Sequence, residues 1–457
     1  MNTFFVETWG CQMNLHDSER LEGILRENGL KAVSDAASAD VVLLNTCSVR
    51  EKPVQKILSR IGELARLPNR PMVGVCGCVA QQEGQSLLER SRTVGFVLGP
   101  GQVPRVAEAL RAVAQGQRVV LTGFDADSPT NFDSIFRKSS TRGMITAIEG
   151  CNEFCTFCVV PYTRGREVSR PLSDLVSEAR SVAARGIVEI ELLGQTINAY
   201  RCPQTDADFA ELLEQMATVP GLERVRFVTS HPRHFSQKMI DVLARHRKVS
   251  RYLHLPFQAG SDRILKRMNR KYTRDQFIDL VDRIRDSVPE INLSTDVIVG
   301  FPGETEEDFA QTLEVLETVR FGQVYAFAFS PRPNTPAERY EGQVDEADKK
   351  HRLHRLFQLT DDISLQLHRR MVGSIVNVLI DGDSRKSPDD WQGRGEDNRV
   401  VNFPKARVES IGDIVQVKIT KAGVHSLAGE MVGQVALPRR GLPVLGELSG
   451  GEPLSSA

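Results

Sequence analysis

The chain has 457 residues, is 40% hydrophobic and 26% charged, and carries a formal net charge of −1. That composition is ordinary for globular domains and the length suits about three of them, so binding of nucleic acid by bulk charge is excluded and any such site must be a local patch. No run of ~18 apolar residues argues for a membrane span, and MNTFFVETWGCQMN lacks the basic start and long apolar stretch of a secretory signal.

The first ~120 residues alternate strand and helix patterns. FFVETWG, DVVLLNT, PMVGVCG and GFVLG read as strands. DSERLEGILRENG, REKPVQKILSRIGELARL and VPRVAEALRAVAQG read as helices. Continuous apolar strands between helices predict an α/β domain with a parallel sheet covered on both faces. The polar stretch 125–143 then reads as a linker.

A second series supplies six more strands: MITAIEG, VEIELLG, RVRFVTS, YLHLPF, LSTDVIVG and QVYAFAF, separated by helical patterns. Six βα units are too few for a complete eight-fold barrel. An open six-unit barrel and a doubly wound sheet both fit. Residues 345–371 form a long charged helix. SIVNVLID, NRVVNF, DIVQVKIT and MVGQVAL then predict a small all-β barrel of about 65 residues. The tail from Pro438 reads as disordered.

The expected compartment is the cytoplasm, where thiols stay reduced. Eight cysteines there suggest metal ligands, catalytic groups or packed core thiols rather than disulfides. Cys151, Cys155 and Cys158 fall within eight residues, directly after the first strand of the second series. A structural zinc site wants four ligands, and no suitably spaced histidine supplies the missing one. A four-iron cluster on three thiolates leaves one iron open to a small chelating ligand. Phe154 and Phe157 interleave the cysteines and are placed to keep water away from such a centre.

Cys11, Cys47 and Cys78 are far apart in sequence, but each ends a predicted strand. In an open parallel sheet those ends share one edge, where ligands bind, so the three thiols can converge. Small core residues at strand ends explain them equally well. Cys76 lies deeper in its strand and reads as packing; Cys202 reads as a free thiol.

CxxxCxxC after the first strand of a six-fold βα series resembles the radical S-adenosylmethionine (SAM) superfamily. That resemblance implies a 4Fe–4S cluster on Cys151, Cys155 and Cys158, whose open iron binds SAM and which generates a radical from it. GCQMN, NTCSVRE, GCVAQ, CVVPYTRG, LLGQTINAY, HLPFQAGS, STDVIVGFPGET and SPRPNTPA resemble the methylthiotransferases, and the C-terminal segment resembles the TRAM RNA-binding module. This implies a second, auxiliary 4Fe–4S cluster on Cys11, Cys47 and Cys78. The implied units are a methylthiotransferase domain (1–120), a partial (β/α)6 radical SAM barrel (137–368), a TRAM-like β-barrel (370–437) and the tail (438–457).

Branches of the family differ in substrate. NTCSVREK, EGCNEFCTFCVVPYTRG and GRGEDNRVVNF resemble the MiaB-type branch, although HLPFQAGS departs from the usual HLPVQSGS. The branch implies methylthiolation at carbon 2 of isopentenyl-adenosine beside the tRNA anticodon, with two SAM molecules consumed. The base would sit between the clusters, so the sheet edge carrying Cys11, Cys47 and Cys78 should face the barrel mouth. Expected partners are the tRNA anticodon loop, an electron donor such as a flavodoxin-type protein, and a sulfur source, with the chain a monomer. Threonylcarbamoyl-adenosine, a ribosomal-protein aspartate, and a non-catalytic iron–sulfur RNA-binding regulator stay open as alternatives.

Further candidates are Gly300 and Gly303, where backbone can approach SAM, and Gln195 and Asn198, which can donate hydrogen bonds to SAM or substrate. The basic runs 263–274, with Tyr272 inside it, and 244–251 are candidate phosphate patches. Arg394, Asn398, Arg399 and Asn402 are candidate RNA contacts on the small barrel. Each also reads as ordinary turn or surface polarity.

Overall fold

The computed structural model describes residues 1–48, 53–124, 132, 134–406 and 409–435. The expected tail from Pro438, and positions 125–131 and 133 of the expected linker, lie outside the described residues. Among the described residues, no helix is long and apolar enough to cross a membrane.

The N-terminal strands are β1 (Thr3–Trp9), β2 (Lys31–Ala32), β3 (Val41–Thr46), β4 (Met72–Gly77), β5 (Val94–Leu98) and β6 (Val119–Leu121). They form one parallel sheet in the order β2-β1-β3-β4-β5-β6. Strand β3 is buried along its whole length because helices cover both faces. Val42 and Leu44 pack with Ile57 and Ile61; Val41 and Leu43 pack with Leu21 and Leu25.

The second unit holds all six expected strands: β7 (Arg142–Thr146), then, beyond the short β8 (Ile148–Glu149) and β9 (Val168–Ser169), β10 (Glu189–Leu193), β11 (Arg224–Phe227), β12 (Tyr252–His254), β13 (Asn292–Val299) and β14 (Gln323–Ala328). They run parallel in chain order as two triplets, β7-β10-β11 and β12-β13-β14. The triplets meet at the bridge Val225↔Val249. A doubly wound sheet would place β7 in the middle. It lies at an edge instead, so the choice left open by the sequence resolves to a partial barrel.

The expected linker is in part a strap. The Phe136 N–H donates to the Glu19 carbonyl at 3.0 Å, Phe132 stacks on His16, and Arg137 pairs with Glu19 and Glu178. These contacts bind the helix Gln12–Glu27 to the barrel.

The C-terminal barrel closes with five strands: β15 (Ile375–Asp383), β16 (Asp390–Arg394), β17 (Val400–Pro404), β18 (Ile414–Ala422) and β19 (Leu427–Gln434). The sequence reading missed β16. DWQGR has too few apolar residues to signal a strand, and its pairing with β15 and β17 holds it in place.

The turn after β16 corrects a functional expectation. It plugs the N-terminal end of the large barrel, away from the strand ends that carry chemistry. Arg224 donates to the Arg394 carbonyl at 3.1 Å, Arg226 to that of Gly395 at 2.8 Å, Ser250 to that of Glu396 at 2.6 Å and Asn292 to that of Asp397 at 2.8 Å. Arg399 pairs with Asp397 and donates to Asn292, Arg394 pairs with Asp381, and the Asn398 side chain accepts from Arg394. Asn402 is buried and accepts from Ser384. The four residues expected to touch RNA are thus engaged within the chain.

Beneath the plug, Glu189 is fully buried and bonded to Arg142, Arg224 and Arg226. Burial alone would raise its pKa; the three guanidinium groups hold it at about 2. Because the folded value lies below the unfolded one, the stabilisation is present above the ordinary carboxylate range and fades as pH falls toward 2. Glu189→Gln leaves the buried Arg224 and Arg226 without their shared anion, while the partly exposed Arg142 keeps Glu191. The substitution should lower stability by about 3–5 kcal/mol at neutral pH, read by urea unfolding, and the difference from wild type should shrink in acid.

Candidate functional site: two cysteine trios at the barrel mouth

The loop 150–167 leaves the barrel at the top of β7 and is pinched at its base by the antiparallel pair β8–β9. The Cys151 N–H donates to the Gly165 carbonyl at 3.1 Å and the Cys158 N–H to that of Cys155 at 2.9 Å, which curls the chain around the three sulfurs. The segment 267–272 closes the other side. Thr156 donates through its N–H to the Met268 carbonyl and through its hydroxyl to that of Arg267. Asn269 donates to the carbonyls of Glu153 and Phe154. Phe154 has φ +50° and lies under Arg166; Phe157 packs edge-on against Phe301. Burial pushes the Cys158 thiol up to about 12 and raises that of Cys151, which also exchanges a hydrogen bond with Thr196.

The second trio assembles because β1, β3 and β4 are adjacent in the sheet. Cys11 follows β1 and caps the helix Gln12–Glu27, Cys47 follows β3, and Cys78 follows β4 and opens the helix Cys78–Glu83. Cys47 lies within hydrogen-bonding reach of both neighbours and shares its single S–H between them. That sharing holds Cys11 at about 6 and Cys78 at about 7 against the opposing effect of burial, with help from the Arg164 guanidinium. Cys47 itself is pushed far upward. Cys76 packs in the core beside Phe96 and Leu98, and Cys202 is a buried free thiol.

Arg164, from the first cysteine loop, reaches across to the second trio. Its Nη2 donates to Asp17 at 2.6 Å, and its charge acts on Cys11 and Cys78. Asp17 also faces Arg20 at 3.7 Å, and Arg20 faces Glu149 at 3.6 Å. His16 shares a 2.7 Å hydrogen bond with Thr146 at the end of β7. The sheet edge with Cys11, Cys47 and Cys78 therefore meets the barrel mouth. Nothing in the sequence links Asp17 to Arg164; only the fold brings them together.

The chemistry of the two trios can be tested against zinc. A single zinc with ~2.3 Å bonds would draw its thiolates to within about 4 Å of one another. Among the described residues, neither trio has all three sulfurs within 4.8 Å. Both sets suit a larger, electron-rich centre, and each has a buried arginine beside it: Arg270, whose Nη1 lies 3.6 Å from the Cys155 sulfur, and Arg164.

Glu153, His231 and His234 do converge tightly enough for one ion. Burial keeps His231 neutral, with a pKa of about 2, and its Nδ1 accepts the Arg233 N–H. Its proton is then on Nε2, the atom that would have to bind a metal. Arg233 and Lys271 also face the same carboxylate oxygen, at 3.5 and 3.9 Å. Glu153 is an anchor that fixes the cysteine loop, bonded to His234 at 2.6 Å.

Gln195 accepts the Gly150 N–H, and its buried Nε2 has no partner among the described residues, so a donor is left over for a ligand. Asn198 is spent on both backbone groups of His231. Gly300 and Gly303 adopt φ +69° and +80° in the turn after β13. A side chain at Gly300 would collide with Lys349, so the space it leaves is filled by the chain itself. In run 263–274, Arg263 pairs with Asp308, Arg274 with Glu314, Arg267 donates to the Glu341 carbonyl, and Arg270 and Tyr272 point inward, while Lys266 and Lys271 are exposed. In run 244–251, Arg245 pairs with Glu214, and Arg247 and Arg251 with Glu290.

Comparison with known proteins agrees with this architecture. Residues 3–99 match the uncharacterized protein family UPF0004, 145–316 the radical SAM superfamily and 369–432 the TRAM domain. Among solved structures, the radical SAM methyltransferase TsrM from Kitasatospora setae superposes with a TM-score of 0.55 at 17% identity, covering 74% of each chain. Fold and cysteine loop define a radical SAM enzyme, a superfamily whose members hold a 4Fe–4S cluster and SAM. The tRNA-2-methylthio-N(6)-dimethylallyladenosine synthase of Bdellovibrio bacteriovorus is 40% identical over 433 residues, covering 94% of this chain and 95% of the relative. Those of Alkalilimnicola ehrlichii and Acetivibrio thermocellus are each 42% identical, covering 94% of this chain and 97% and 91% of theirs. The chain belongs to this family of radical SAM methylthiotransferases.

The shared hydrogen bond makes a prediction for the reduced, metal-free protein. Cys11, the exposed member of its trio, should be alkylated ahead of the buried thiols, with a pH midpoint near 6. Cys47→Ala removes the donor and should move that midpoint up toward the ordinary thiol value. Peptide mapping after a pH series of iodoacetamide pulses reads both.

Proposed function

We propose that this protein methylthiolates carbon 2 of isopentenyl-adenosine beside the tRNA anticodon. The observation that carries the reading is the junction itself: two cysteine trios from separate domains, joined through Arg164 and Asp17. The names of the full-length relatives supply the substrate. In this reading residues 1–120, 137–368 and 370–437 act as the methylthiotransferase, radical SAM and TRAM-like units.

Cys151, Cys155 and Cys158 would hold the 4Fe–4S cluster, and Cys11, Cys47 and Cys78 an auxiliary one. Such a centre with SAM supplies radical chemistry able to remove hydrogen from an aromatic carbon that acid–base groups cannot reach. The chain's own part is positional. Glu153, Thr156 and Asn269 fix the loop, and Thr196 and Gln195 hold its entrance. Gln195 Nε2 offers a donor to SAM or substrate. Arg164 and Asp17 set the gap between the trios, which is where the base must enter. Flipping that base from its loop costs a few kcal/mol, which binding must repay.

Anaerobic reconstitution should give about eight iron per chain, and about four after Cys151, Cys155 and Cys158 are changed to Ala. Incubation with SAM, reductant and isopentenylated tRNA should yield a 2-methylthio nucleoside by mass spectrometry. Zinc in place of iron, or SAM cleavage without that product, would sink the reading. Asp17→Asn removes the nearer of the two carboxylates that face Arg164 and leaves only Glu149, at 3.9 Å. It should cut methylthiolation at least tenfold while iron content is retained.

A further inference from the structure

Arg270 is 5% exposed, and every contact of its head group is accounted for. Its Nε donates to the Tyr272 hydroxyl at 3.0 Å, Nη2 to the Pro256 carbonyl at 2.8 Å and Nη1 to the Cys155 sulfur at 3.6 Å. The Tyr272 hydroxyl donates onward to the Phe257 carbonyl at 2.8 Å, which turns its oxygen toward Arg270. No carboxylate among the described residues pairs with this guanidinium. Glu153, in the same loop, is taken by His234, Arg233 and Lys271.

A buried cation without an anion is strongly unfavourable. The other buried arginines of the chain's polar networks have carboxylates: Arg164 has Asp17, and Arg224 and Arg226 share Glu189. Among the described residues, the sulfurs of the cysteine loop are what is left to supply the counter-charge of Arg270, which touches Cys155 and acts on Cys158. The backbone is bent to achieve this. Asn269 and Lys271, on either side, have φ +60° and +21°, so Arg270 turns inward while Lys271 turns out to Glu153. Strain of this kind is sustained where the surroundings over-determine it, and it marks functional positions.

We propose that Arg270 is the electrostatic partner of the iron–sulfur centre held by Cys155, and that its charge sets how readily that centre accepts an electron. Reduction adds negative charge beside a guanidinium that has no other counter-ion, so the reduced form is favoured and the potential is raised. Arg270 is a positioning and potential-setting residue that touches a ligand, not a reacting atom. The inference rests on reading Cys151, Cys155 and Cys158 as ligands.

The test is a redox titration followed by electron paramagnetic resonance. It uses the full-length chain with Cys11, Cys47 and Cys78 changed to Ala, so that one centre titrates, without SAM or RNA. Arg270→Met should lower the ratio of reduced to oxidised centre at least tenfold at a fixed potential, about 59 mV for one electron, at unchanged iron content. Arg270→Lys keeps the charge and should stay near the parent, as should Tyr272→Phe, which removes a hydrogen bond but no charge. If Arg270→Met fails to load iron while Arg270→Lys loads it, the need for charge is upheld. An Arg270→Met protein that loads fully and titrates like the parent overturns the proposal. So does failure of both Arg270→Met and Arg270→Lys to load, which would make Arg270 a packing post. If the parent itself binds no iron, the ligand reading falls first and this inference with it.

Discussion

The structure turns on one buried ion pair, Arg164 with Asp17. Each residue sits a few positions from a cysteine of its own trio, and each belongs to a different domain. Asp17 is on the helix that Cys11 caps; Arg164 is on the loop that carries Cys151, Cys155 and Cys158. Their contact converts two separate sulfur sites into one junction. Both side chains are nearly inaccessible, so the pair gains much of its strength from low dielectric and would be costly to break by removing one partner. Arg20 and Glu149 extend the network on the same interface. Desolvating four charges makes a poor device for net stability. It does fix how the two domains register, because a displaced partner leaves an uncompensated charge.

The two ends of the large barrel are handled in parallel ways. At its N-terminal end, Glu189 gathers three arginines, and the turn Arg394–Arg399 caps two of them, Arg224 and Arg226, with main-chain carbonyls. At its C-terminal end, buried arginines gather around sulfur. The first arrangement is electrostatically complete within the protein. The second is not: among the described residues, Arg270 has no carboxylate and Gln195 Nε2 has no acceptor. That contrast separates structural polarity from functional polarity. A closed network holds domains together, and an open one marks where something else binds.

Much of the architecture was legible from pattern. The strands β3, β4 and β5 stand out as apolar runs because parallel strands buried on both faces must be continuously apolar, and β1 and the six barrel strands stand out as short β-rich runs between helical patterns. The strand β16 was not legible, since its DWQGR is held by partners rather than by its own composition. Basic segments misled in one direction. Arg394, Arg399 and the run 263–274 look solvent-facing in one dimension, yet fold inward or onto nearby carboxylates and carbonyls. Charge tells what a residue can bind, not what it meets.

By itself the sequence determined the three-part organisation, the packing of Cys151, Cys155 and Cys158 into eight residues, the placing of Cys11, Cys47 and Cys78 at strand ends, and the class of chemistry that three thiolates in one loop imply. These are local or periodic properties: spacing within a loop, and position at the end of an apolar run. Tertiary structure alone decided that Asp17 faces Arg164, that Glu153 anchors its loop and that Arg270 leans on Cys155. It also engaged Asn198 and the C-terminal turn in hydrogen bonds within the chain. The reason is distance along the chain. Partners separated by more than a hundred residues leave no periodic trace, and whether a charged side chain serves a ligand depends on whether the fold has already given it a partner.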